Sequence, residues 1–234
     1  NTNVNGTTVT EYYVTQATSF GCEFVPRTKV TVTVNYTAPP SISVGLPINE
    51  CQNRTATSLG NYVNASGGNS LLWYGTLSSG GSGSTTATVP TTSSTGQTTY
   101  YVTQKNNTTG CESSPRTGII VQVNAIPNAP SVTSPVNLCL NAGASPLSAT
   151  ASGGASLLWW GTNAAGGSSS PTAPIPSTGS VGTTTYYVSQ ISNTCESSRA
   201  PISVVINPIP AAPSVATTTV LYCKDASATP LAAT

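Results

Sequence analysis

Thr98-Thr99-Tyr100-Tyr101-Val102-Thr103-Gln104 decides how this chain is read, because it returns as Thr184-Thr185-Tyr186-Tyr187-Val188-Ser189-Gln190. A shorter copy, Glu11-Tyr12-Tyr13-Val14-Thr15-Gln16, precedes both. From the first tyrosine of each copy the steps are 88 residues (12 to 100) and 86 residues (100 to 186). A second marker, Leu71-Leu72-Trp73-Tyr74-Gly75-Thr76, recurs 86 residues on as Leu157-Leu158-Trp159-Trp160-Gly161-Thr162. Self-similarity at a fixed period marks an array of modules. At this period each module is long enough to be a small domain.

The cysteines fall into two classes that alternate along the chain. Cys51, Cys139 and Cys223 are each followed by Asn or Asp two residues on and by leucine eight residues on (Leu59, Leu147, Leu231). Cys22, Cys111 and Cys195 are each followed by glutamate and, four or five residues after the cysteine, by arginine. One of each class per repeat predicts the pairs Cys51–Cys111 and Cys139–Cys195, with Cys22 and Cys223 pairing outside the segment. A Cys22–Cys51 bond across a joint would break the register of the other copies. Cystines without metal-type clustering imply an oxidising, extracellular compartment.

Composition narrows the class. There is no histidine and no methionine, and charged residues are 6% of the chain. Valines at 30, 32 and 34 alternate with polar residues, as on a half-buried strand, and Ile119–Val123 and Ile202–Ile206 fill the same place later. Each of these strands runs into a proline-rich joint near residues 37, 126 and 209. Proline cannot donate to a strand ladder and favours polyproline II, so the joints are semi-rigid. The boundaries expected are a C-terminal part of a repeat (1–36), complete repeats at 37–125 and 126–208, and an N-terminal part of another at 209–234. About seven short strands in some 85 residues, in the order Cys…Trp…Cys, predict an all-β chain of tandem immunoglobulin-like sandwiches, beads on a string. Trp73, Trp159, Tyr100 and Tyr186 are expected in the cores, the tryptophans against the cystines. Alternation along the Trp strand would turn Tyr74 and Trp160 outward.

The run of Cys-x-Asn…Leu, Leu-Leu-Trp-Tyr-Gly-Thr…Gly-Gly, Thr-Thr-Tyr-Tyr-Val-Ser-Gln and Cys-Glu-Ser-Ser-Arg-Ala-Pro-Ile-Ser-Val resembles the immunoglobulin-like repeats of giant Bacteroidetes surface proteins. Such repeats are typical of type IX-secreted adhesins, including the adhesin of gliding motility. The resemblance implies a secreted or surface-attached stalk whose partners are neighbouring repeats and a substratum such as surface polysaccharide.

Chemistry has little inventory to work with. Without histidine, Ser-His-Asp and Cys-His arrangements are excluded. A glycosidase needs two carboxylates in one site, and residues 127–207 contain only Glu196. Calcium at the joints needs acidic ligands, and the joints hold none. No enzyme, cofactor or metal is expected, and a charge of +1 offers no field for nucleic acid or anionic membrane. The repeated Glu/Arg pair (Glu112 with Arg116) reads as a local clamp on the turn. Outward Tyr74 and Trp160 are expected to pack under the Gly-rich loop or against the next module. The alternative is that they stack on sugars, which would make the repeats carbohydrate-binding or accessory modules of a polysaccharide-active protein.

Overall fold

The computed structural model describes residues 6–215 and 218–231; residues 1–5, 216–217 and 232–234, at the edges of the first and last expected pieces, lie outside the described residues. Among the described residues the chain is all-β apart from one 3-10 turn, Leu59–Tyr62. It begins with an antiparallel hairpin, β1 (Thr8–Val14) and β2 (Thr28–Val34).

The first complete repeat runs β3 (Ser41–Ile42), β4 (Ile48–Cys51), β5 (Val63–Asn64), β6 (Ser70–Trp73), β7 (Gly96–Lys105) and β8 (Thr117–Asn124). Its main sheet has the order β4-β8-β7-β6, and β3 pairs with β5 in a second small sheet. β4 lies parallel to β8, while β6, β7 and β8 are antiparallel neighbours. The second repeat follows the same plan: β9 (Ser131–Val132), β10 (Val136–Cys139), β11 (Ala149–Thr150), β12 (Ser156–Trp159), β13 (Gly182–Ser192), β14 (Cys195–Glu196) and β15 (Ala200–Asn207). Here the order is β10-β15-β13-β12, with β14 on β13 and β11 on β9.

Register follows from the period-2 pattern, because a one-residue slip would turn every apolar side chain to water. In β8 the buried residues are Ile119, Val121 and Val123, and in β15 they are Ala200, Ile202, Val204 and Ile206. Tyr100 faces Ile119 across the ladder, Tyr186 faces Ile202, and Tyr12 faces Val30 in the same way.

Each repeat has its own core. The first gathers Ile48, Leu59, Val63, Trp73, Tyr100, Val102, Ile119 and Val121. The second gathers Leu147, Trp159, Val188, Ala200, Ile202, Val204 and Ile206, with Tyr186 half-buried against them. The leucine eight residues after each first-class cysteine is therefore a core residue in both, and Leu59 is fully buried. Asn53, Asn141 and Asp225, two residues after those cysteines, all take left-handed backbone (φ 57°, 59° and 67°). Asn and Asp are the non-glycine residues that best tolerate that region.

The expected disulfides are wrong. Cys51 is bonded to Cys195, 144 residues away, and Cys22, Cys111, Cys139 and Cys223 are free thiols. Neither Cys51–Cys111 nor Cys139–Cys195 forms, and sheet geometry gives the reason. Parallel pairing sets Cys51 opposite Asn124, the last residue of β8. Cys111 lies before the start of β8, beside the bridge between Lys105 and Glu112. Seven strand steps, from Thr117 to Asn124, separate the two ends by roughly 23 Å, whereas bonded cysteines need Cα atoms within about 7 Å. In the second repeat Cys139 faces Asn207 at the far end of β15, while Cys195 precedes that strand. The tryptophans therefore sit in clusters of aliphatic and tyrosine side chains that include no cystine.

By spatial grouping, the tip Ser192–Cys195 belongs to the compact unit of residues 1–126, and the remainder of 127–234 forms the other unit. Cys195 is fully buried, its Sγ 3.8 Å from the carbonyl oxygen of Glu50 and 4.0 Å from that of Asn124.

Candidate functional site

The most developed polar arrangement in each repeat surrounds the aromatic residue that follows the Trp strand. β6 ends at Trp73, and the chain then turns through Gly75, in left-handed backbone. Tyr74 is tied by its amide to the carbonyl of Tyr101 and returns the chain to β7 through Gly75 O and the Tyr101 amide. Tyr74 is thereby buried, at 7% exposure, and does not face outward as alternation suggested. The period-2 rule ends with the strand, one residue too early to place it.

Arg116 covers this ring. Its guanidinium carbon stands 3.4 Å from the Tyr74 ring centroid. Its two terminal nitrogens donate to the carbonyl oxygens of Leu77 and Gly80, each at 2.6 Å. The Tyr74 hydroxyl donates to Glu112 Oε1, which also accepts from Thr103 Oγ1 at 2.6 Å. The second repeat builds the same clamp with a different aromatic. Arg199 lies 3.5 Å over the Trp160 ring and donates to the carbonyls of Asn163 and Gly166. Trp160 Nε1 donates to Ser189 Oγ at 2.8 Å, and that hydroxyl donates to Glu196 at 2.6 Å. Serine thus relays between indole and carboxylate where the longer reach of the phenol makes the bond directly.

The sequence read Glu and Arg as a clamp on the turn. In the complete repeats the arginine grips the Gly-Gly turn through its carbonyls and stacks on the aromatic, while the glutamate anchors the other edge of the ring. A direct Glu/Arg ion pair at this position exists only in the first piece, Arg27 with Glu23 at 3.2 Å, where both side chains are about half exposed. Such an exposed pair contributes little, on the order of 0–1 kcal/mol.

In this arrangement one face of each aromatic ring is already taken. A guanidinium occupies a face of Tyr74 and of half-buried Trp160, and Gly83 sits against the phenol end of Tyr74, where an added Cβ would stand 2.9 Å from the ring and its hydroxyl. Among the described residues, no three of His, Cys, Asp and Glu gather where a metal ion could be held.

The charges in the clamp follow its geometry. Burial alone would raise the carboxyl of Glu112, but hydrogen bonds from Thr103 and Tyr74, with the positive Arg116 and Lys105, outweigh it and hold it below its ordinary value. Burial, then the hydrogen bond and charge of Glu112, push the Tyr74 phenol above its ordinary value. A raised folded-state pKa gives stability that is present below the ordinary tyrosine value and lost as pH rises through the folded one. Tyr74→Trp copies the second repeat and removes this titration. The wild-type urea midpoint should therefore fall more steeply than that of Tyr74→Trp above about pH 10, the ordinary tyrosine value. Parallel profiles for the two proteins would show that Tyr74 does not contribute.

One functional group was missed from the sequence. The glutamine closing the Tyr-Tyr-Val-x-Gln marker of each complete repeat is completely buried, whereas Gln16 of the first copy is exposed. Gln104 accepts from the Ser66 amide at 2.8 Å and donates to Ser66 Oγ at 2.9 Å and to the carbonyl of Ala38, in the joint preceding the repeat. Gln190 repeats the pattern with the Ser152 amide, Ser152 Oγ and the carbonyl of Asn128. The amide side chain ties the incoming joint to the β5–β6 or β11–β12 turn. The available signal was a polar residue kept at an inward position of the same strand in both complete repeats. Gln104→Leu should cost roughly 2–4 kcal/mol, because the Ser66 amide and Ala38 carbonyl lose their partners inside the protein. Equilibrium urea denaturation measures it, and a loss below 0.5 kcal/mol, on the order of a neutral surface change, would refute the role.

Two antiparallel-dominated sandwich domains in tandem, each with a parallel strand at one sheet edge, define the class: immunoglobulin-like β-sandwich repeats. The family described as "Ig-like domain CHU_C associated" matches residues 38–124 and again 127–208, and the chain belongs to that family. Similar solved structures include the fibronectin(III)-like modules of CbhA from Clostridium thermocellum, at 15% identity, covering 72% of this chain and 95% of that one, with a TM-score of 0.38. The titin I-band fragment I67–I69 is 11% identical over 87% of this chain and 89% of its own, with a TM-score of 0.25. SGBP-B of the Bacteroides ovatus mixed-linkage glucan utilization locus, solved with a mixed-linkage heptasaccharide, is 15% identical over 86% of this chain and 54% of its own, with a TM-score of 0.22. No curated protein matches the chain.

Proposed function

We propose that these repeats are the non-catalytic stalk of a large extracellular surface adhesin, transmitting tension between what the protein holds and where it is anchored. The observation that carries this reading is the Cys51–Cys195 bond, which bridges 144 residues of sequence and reaches from one repeat into the next. A tether under load benefits from a covalent path that bypasses most of its folded residues. The low charge, the cystine and the membership of a Bacteroidetes-type immunoglobulin-like family support an extracellular setting. No helix among the described residues is long and apolar enough to cross a membrane.

The rival function, a carbohydrate-binding or accessory module, loses its best residues because Tyr74 and Trp160 are committed to the arginine clamps. The test is binding of the whole oxidised chain to a panel of soluble and insoluble polysaccharides, with Tyr74→Ala and Trp160→Ala alongside. No saturable binding is expected. Saturable binding abolished in the double variant would overturn the stalk reading for these repeats.

A further inference from the structure

In each repeat taken alone, the two classes of cysteine stand at opposite ends of the main sheet. In the first repeat Cys51 lies opposite Asn124, where the chain leaves toward the next joint, and the amide of Gln52 donates to the Asn124 carbonyl at 2.9 Å. Cys111 lies at the incoming end, its carbonyl accepting from Thr37 Oγ1 at 3.1 Å in the joint through which the chain arrives. In the second repeat Cys139 faces Asn207, and the Leu140 amide donates to the carbonyl of Asn207 at 2.9 Å. Cys195 pairs through β14 with β13, the strand whose Gln190 holds the incoming joint at Asn128. Two poles, each with its own kind of cysteine, suit head-to-tail linkage and exclude closure within a repeat. The one bond formed, Cys51 to Cys195, joins an outgoing-end cysteine to the incoming-end cysteine of the repeat that follows.

We propose that this bond is one rung of a continuous ladder, in which every outgoing-end cysteine is the disulfide partner of the incoming-end cysteine one repeat further along the same chain. The four thiols then have defined roles. Cys139 and Cys223 bond forward to a following repeat, and Cys22 and Cys111 receive bonds from a preceding one. Three of the four are exposed and Cys111 is half-buried, as open rungs should be. Each rung forms by exchange with a small-molecule disulfide. One cysteine thiolate attacks it and expels one small thiol, and the second cysteine displaces the other from the mixed disulfide. Two protein thiols are oxidised to one S–S bond while the small disulfide is reduced to two thiols.

The test adds one repeat to the whole chain. A second copy of residues 127–208, carrying the exposed substitutions Asn137→Gln and Ser198→Thr as mass tags beside its cysteines, is inserted directly after residue 208, and the protein is oxidised with glutathione disulfide. Remaining thiols are alkylated, and linked peptides are mapped by mass spectrometry without reduction. The expected links are Cys51–Cys195 and Cys139 with the inserted copy of Cys195. Cys22, Cys111, Cys223 and the inserted copy of Cys139 should be alkylated. Cys139 left as an alkylated thiol, or bonded within its own repeat, would overturn the ladder. The unextended chain is mapped in parallel and should give Cys51–Cys195 as its only intramolecular link. A Cys51–Cys111 or Cys139–Cys195 peptide there also overturns it. Polysaccharide binding does not bear on these outcomes, so the ladder and the stalk reading can fail separately.

Discussion

Pulled from its two ends, the oxidised chain should release far less contour length than the reduced chain. The bond joins residues 51 and 195, so the 143 residues between them (195 − 51 − 1) lie outside the shortest covalent path. At 3.3–3.6 Å per extended residue this hidden length is roughly 490 Å. The first core lies within the bracket except for Ile48, so it can open with little lengthening of the tether. Ala200, Ile202, Val204 and Ile206 of the second lie beyond residue 195, on the load-bearing path. Single-molecule force extension with and without a reductant measures the difference directly. Equal final lengths would mean that Cys51 and Cys195 are not linked. The same bond closes a very long loop, and in the chain-entropy picture such a closure disfavours the unfolded ensemble by about 5 kcal/mol. Cys51→Ser should therefore lower the resistance to urea as well as lengthen the tether.

Replacing Trp73 by alanine should cost about 3–5 kcal/mol, the range for truncating a large buried aromatic. Trp73 is 3% exposed and belongs to the first core together with Leu59, Tyr100 and Ile119. A domain of this size has on the order of 0.05–0.15 kcal/mol of stability per residue, so the substitution removes a large share of the total. The two cores share no residue. Trp73→Ala should thus melt the first repeat ahead of the second, and Trp159→Ala should reverse the order. Limited proteolysis across a urea series, followed by fragment mapping, separates the two transitions. One undivided transition in both variants would show that the repeats do not fold independently.

Much of this architecture could be read from residues because its causes are local. Alternation in Ile119-Ile120-Val121-Gln122-Val123 sets which face is buried, and the neighbouring strand follows the same face. Trp73, Trp159 and Tyr100 are as buried as expected, and Tyr186 is half-buried. Tyr74 packs under the Gly-rich turn as expected, but strand alternation misjudged its direction, because it lies just past the end of β6, where a turn and no longer the pleat sets the backbone. Gln104 escaped it because hydrophobic patterning treats an inward polar residue as an exception. Only the positions of Ser66 and Ala38 show that its polar atoms are matched.

By itself, the sequence determined the repeat, the strands, the faces they bury, the proline joints and the existence of two kinds of cysteine. Each of these depends on neighbours a few residues apart or on plain recurrence. Which cysteine meets which was decided by tertiary structure alone. The parallel pairing of β4 with β8 carries Cys51 to the outgoing end of its sheet, a full strand length from Cys111. A disulfide forms only where two sulfur atoms meet, and recurrence in sequence carries no record of that distance.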